Sequence, residues 1–96
     1  MRNKKKKAGK VLAEANFRIH GKGWNDRPVD EVVHAVLTVS GAFQYGNQTC
    51  MAFEWENGQV WSFDTRYEHV TVETFVEFAK EVLNNRTIET IAVEVI

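Results

Sequence analysis

The sequence predicts a single small α+β domain: an antiparallel-dominated sheet of about five strands with one amphipathic helix packed on one face, in the order ββββαβ. Three observations carry this expectation. Residues alternate between apolar and polar over several runs, an Asn57-Gly58 pair separates two such runs, and one stretch near the C-terminus repeats its apolar residues at helical spacing.

From Val11 to Ile19 the odd positions read Val, Ala, Ala, Phe, Ile, while Glu14, Asn16 and Arg18 fall between them, as a half-buried strand requires. Gly21 to Pro28 then collects two glycines, an Asn-Asp pair and the only proline, which predicts a surface loop. Residues 28–39 fit two patterns. Pro28 at a first helical position, Asp30 and Glu31 in a first turn, and Val29, Val32, Val33, Val36 and Leu37 at helical spacing describe a helix. Val33, Ala35, Leu37 and Val39 also alternate with His34, Thr38 and Ser40, and the β-branched density favours a strand from about Val32 to Gln44. The strand is the economical reading, with Tyr45 to Gln48 turning the chain into the next one.

The run from Met51 to Phe63 fixes a hairpin and its register. A two-residue loop pairs Glu54 with Trp61 and mixes charge with aromatic surface on both faces. A three-residue loop, Glu56-Asn57-Gly58 with Gly58 left-handed, pairs Phe53 with Trp61 and Met51 with Phe63. Met51, Phe53, Trp55, Trp61 and Phe63 then share one face, and Ala52, Glu54, Val60, Ser62 and Asp64 the other, so the longer loop is expected.

The helix is expected from Val72 to about Asn84, its stripe formed by Val72, Phe75, Val76, Ala79, Val82 and Leu83. Thr71 suits an N-cap, Val70 can staple onto Phe75, and Asn84-Asn85 suits a left-handed exit. Thr87 to Ile96 closes the chain as a strand with Ile91, Val93 and Val95 on one face. The aromatic hairpin face is the surface that the helix stripe needs, so it reads as the floor of a core and not as a base-stacking platform.

Ninety-six residues suffice for one unstapled core. Cys50 stands alone, which excludes an internal disulfide framework. No stretch is long enough to span a bilayer, and Lys4 to Lys7 are not followed by an apolar leader core, so the protein reads as cytoplasmic with no membrane partner. Charge is uneven. Residues 1–10 hold Arg2, Lys4, Lys5, Lys6, Lys7 and Lys10 and no acid, while the rest of the chain holds six basic and thirteen acidic residues, a net of -7. Residues 1–9 are therefore expected to be a disordered basic arm, followed by the domain at 10–96.

Catalytic and metal signatures are missing from the pattern. His20, His34 and His69 show no ligand spacing, and whether they converge with Cys50 or Asp64 does not follow from spacing. Cys50 shares a face with Glu54, and an acid nearby raises a thiol pKa rather than activating the thiol. No cofactor, metal or catalytic residue is expected. The function predicted is a non-enzymatic protein-binding or regulatory module, with Trp24 in its polar loop and the carboxylates Glu54 and Glu56 as partner contacts. A symmetric homodimer through a sheet edge or an uncovered face is predicted beside it. The alternative is nonspecific association with nucleic acid through Arg2, Lys4, Lys5, Lys6, Lys7 and Lys10.

Overall fold

A computed structural model of the protein describes residues 10–43, 46–65, 68, 70–86 and 91–96. Strands β1 (Val11–Lys22), β2 (Pro28–Phe43), β3 (Gly46–Glu54) and β4 (Val60–Asp64) form a meander, followed by helix α1 (Phe75–Arg86) and strand β5 (Ile91–Val95). The sheet runs β4-β3-β2-β1-β5, and each of its neighbours is antiparallel. The expected arm, residues 1–9, lies outside the described residues, and the described part begins at Lys10.

Residues 28–39 are strand throughout. Pro28 opens β2 opposite Lys22, a position where its missing N–H costs no ladder bond. The helix-like spacing arises because β2 is apolar on both faces: Val33, Ala35 and Leu37 are buried, while Val32 and Val36 lie on the reverse side. The β1–β2 loop is shorter than expected. Gly23 N–H donates to the Arg27 carbonyl at 2.9 Å, and a 3-10 turn spans Trp24–Asp26. Asn25 and Asp26 adopt φ of 56° and 59°, a region that short polar side chains enter more readily than others.

Val11 departs from the predicted face. Leu12 is an extra residue in the β1–β2 ladder, since Val11 pairs with Thr38 but Ala13 with Leu37. This bulge rotates Val11 out to 49% exposure and brings Leu12 against the core. Gly46 to Gln48 belong to β3 rather than to a turn, and pair with Phe43, Ala42 and Gly41.

The three-residue loop is present. Phe53 pairs with Trp61 and Met51 with Phe63; Gly58 N–H donates to the Trp55 carbonyl and Trp55 N–H to the Gln59 carbonyl, both at 2.9 Å. Gly58 has φ of 87°. The chain leaves β4 through a buried pair of threonines: Thr65 N–H and Oγ1 both donate to the Thr49 carbonyl at 3.0 Å, and the two hydroxyls bond each other.

The helix starts one turn later than Val72. Thr71 and Thr74 bond reciprocally, Thr71 N–H to Thr74 Oγ1 at 2.8 Å and Thr74 N–H to Thr71 Oγ1 at 3.3 Å. These bonds cap a turn whose Val72 is 52% exposed. The first α-type bond runs from Phe78 N–H to the Thr74 carbonyl. Asn84 and Asn85 do not leave in a left-handed conformation; both are helical, and α1 continues to Arg86. Phe75, Ala79 and Leu83 pack with Val70 onto Phe17, Ile19, Val33, Ala35, Leu37, Met51 and Phe53. Residues 87–90 lie outside the described part, and β5 pairs with β1 from Ile91 opposite Gly21 to Val95 opposite Phe17.

Candidate functional site

The two faces of the sheet differ in kind. Away from α1, register sets polar side chains in rows. Glu94, Arg18 and Val32 form one row, and Asn16, His34, Glu54 and Val60 the next. Arg18 grips Asp30 through two parallel bonds, Nε to Oδ1 at 3.0 Å and Nη2 to Oδ2 at 3.1 Å. This hydrogen bonding, with the guanidinium charge, holds the Asp30 carboxyl below the usual carboxylate range. His20 Nε2 bonds Glu94; His34 places Nε2 3.1 Å from Glu14 Oε1 and Nδ1 2.8 Å from Asn16 Oδ1. Each of these two imidazoles is thus engaged by a neighbouring carboxylate, while His69 is outside the described residues.

Cys50 lies on this same open face, opposite Thr38 and Asp64. Partial burial and then the Asp64 charge push its thiol up from the ordinary range. Such a thiol is a poor nucleophile at neutral pH. Among the described residues no three His, Cys, Asp or Glu side chains come together as a metal-binding group, and no helix is long and apolar enough to cross a membrane.

The predicted contact residues are distributed as follows. Glu54 is exposed on the open face between His34 and Val60. Glu56 lies in the hairpin turn, where its Oε1 accepts the Val32 N–H at 3.3 Å. Trp24 opens the 3-10 turn at the same end of the sheet, beyond β1 and β2. Lys10 sits at the opposite end, exposed, its carbonyl accepting Val39 N–H at 2.9 Å. The structure therefore places Trp24 and Glu56 at one end of the sheet and Lys10 at the other. Arg2, Lys4, Lys5, Lys6 and Lys7 lie outside the described residues.

Comparison with protein-family models, with curated proteins and with solved structures found no match.

On the helix side, the aromatic floor is only partly covered. α1 packs toward β1 and β5. Trp61, Phe63, Phe78 and Val82 consequently line an open groove of about 620 Å³ between β4 and the helix. Phe53 stacks with both Trp61 and Phe63, and Phe63 meets Phe78 at 6.0 Å between ring centroids. Glu68 and Glu81 rim the groove where β4 ends at Asp64, and a smaller depression beside it adds Glu77. A third hollow at the hairpin end sets Glu31 beside Trp55 and Trp61. No lysine or arginine is among the described residues lining any of the three.

Sequence reasoning missed this groove because it assigned the whole aromatic face to the helix. The signal lay in Phe78 and Val82, an i, i+4 pair that broadens the apolar arc of α1 beyond the buried Phe75, Ala79 and Leu83 line.

Proposed function

We propose that the protein is a non-enzymatic, regulatory protein-binding module that receives a basic, apolar-bearing segment of a partner protein in the groove between β4 and α1. The observation that carries this reading is the half-covered aromatic floor of Trp61, Phe63 and Phe78 under a rim of carboxylates with no described cation among them. Aromatic surface in a concave site supplies contact energy, and the carboxylates Glu68 and Glu81 select the partner's charge and speed its approach. The exposed Glu54 and the loop of Trp24 are proposed as secondary contacts.

The test is titration of the full chain with a short peptide of lysine and leucine, and with a control peptide bearing glutamate in place of lysine. The lysine peptide should bind, more weakly as salt rises, and Glu68→Lys with Glu81→Lys should weaken it about tenfold or more. Absence of binding both by the full chain and by the chain with Lys4, Lys5, Lys6 and Lys7 replaced by glutamine, or equal binding by the double variant, rejects the groove as the site.

A second reading is nonspecific association with nucleic acid, favoured by six basic residues and no acid within residues 1–10. It requires a steep loss of affinity between low and physiological salt. A homodimer is favoured by a different feature: β5 is an edge strand whose end exposes Val95 at 47% and Ile96 at 70%. Sedimentation showing a monomer at micromolar concentration rejects the dimer.

A further inference from the structure

We infer that the lysine-rich arm, residues 1–9 of the same chain, occupies the groove between β4 and α1 and must be displaced before a partner can bind. This rests on the reading of the groove as a binding site, and it adds the occupant and a mode of regulation.

Charge complementarity is the first argument. Arg2, Lys4, Lys5, Lys6 and Lys7 lie in a segment without acids, while Glu68, Glu77 and Glu81 rim the groove and its neighbouring depression. Among the described residues, Glu68, Glu77 and Glu81 make no ion pair.

Reach is the second. Val11 lies opposite Thr38, Thr38 opposite Cys50, and Cys50 opposite Asp64, so β1 begins at the same end of the sheet at which β4 ends beside the groove. Three strand spacings separate them, ~14 Å. Nine extended residues cover up to ~30 Å, so the arm can cross the sheet end and still lay several lysines along the rim. The arm joins the sheet at the end where β4 runs out beside the groove; to reach Trp24 and Glu56 it would have to run the length of the strands.

The consequence is competition. A short tether gives an effective concentration on the order of millimolar, so an arm of ~0.1 mM intrinsic affinity fills the groove about nine-tenths of the time and masks it about tenfold. Because the attraction is between solvent-exposed charges, masking fades as salt shortens the screening length.

Two measurements on the full chain test this. A nitroxide attached at Ala8→Cys, in a Cys50→Ala background, should broaden the amide resonances of Phe78 and Glu81 at low salt and lose the effect at high salt. Absence of broadening overturns the inference, as does broadening that appears only between spin-labelled and isotope-labelled molecules in a mixed sample, which assigns the groove to a second copy. Separately, replacing Lys4, Lys5, Lys6 and Lys7 with glutamine should tighten binding of the lysine and leucine peptide about tenfold at low salt. Unchanged peptide affinity overturns the inference while leaving the groove as a site. Peptide binding by neither form overturns the groove itself.

Discussion

Phe53 and Trp61 stack across the β3–β4 hairpin, their ring centroids 5.5 Å apart and their planes inclined by 19°. That contact exists only in the register set by a three-residue turn, because a shift of one residue would bring Trp61 opposite Glu54. Phe53 is fully buried and Trp61 half-buried, so the pair joins the core to the groove. The position of the putting-down point for Trp61 is therefore decided by Glu56, Asn57 and Gly58.

Gly58 is the residue of that turn with least freedom to change. Its φ of 87° lies where a side chain is strained, although a Cβ added there would meet nothing within 4 Å. The cost of Gly58→Ala is accordingly conformational, about 1–2 kcal/mol. For a domain of this size each kcal/mol lowers Tm by roughly 4–8 °C. Thermal unfolding measures it, and an unchanged Tm would show that the turn can reach its register without the left-handed residue.

The hairpin, the helix stripe and the ββββαβ order were legible because each follows from a repeat of two or of 3.6 in apolar residues. Three features were not. The bulge at Leu12 breaks the alternation of β1 without any glycine to mark it, so Val11 looked like a core residue. Val72 matched the stripe by spacing, but the Thr71–Thr74 reciprocal bonds place it in a capping turn that faces water. The groove depends on where α1 crosses the sheet, toward β1 and β5, and no local pattern encodes that offset. Trp61 and Phe63 meet Phe78 and Glu81 along one groove only through it.

Arg18 and Asp30 provide a pH signature on the open face. The folded Asp30 pKa is lowered, so its contribution to stability is present above the unfolded carboxylate value, about 4, and is lost as pH falls through the lower folded value. The side chains are 49% and 64% exposed, which makes this contribution small. Carbon-13 titration of the Asp30 carboxyl should show the lowered midpoint, and Arg18→Gln should return it to the ordinary range. An ordinary midpoint in the unmodified protein would contradict the bidentate pairing.

Cys50 should react slowly. Burial raises its thiol pKa first and Asp64 adds to the effect, so the thiolate fraction at pH 8 falls below that of the unfolded chain. Alkylation by iodoacetamide, followed by mass spectrometry, should be slower in the native protein than in denaturant. Asp64→Asn should speed the native reaction only modestly, because burial is the larger cause and persists. A native rate equal to the denatured one would remove both causes together.

Glu56 has a duty inside the fold. β3 ends at Glu54, opposite His34, and beyond that point Val32 N–H has no strand partner on this side, so it donates to Glu56 Oε1 at 3.3 Å. A backbone donor at a place where the ladder ends is satisfied by whichever acceptor the turn supplies. Glu56→Gln preserves an acceptor oxygen, and Glu56→Ala removes it. Hydrogen exchange at the Val32 amide should therefore accelerate in Glu56→Ala and stay near the native rate in Glu56→Gln, with global stability changed by about 0.5 kcal/mol or less, as for other exposed side-chain bonds. Equal acceleration in both variants would mean that the charge of Glu56, and not its hydrogen bond, protects the end of β2.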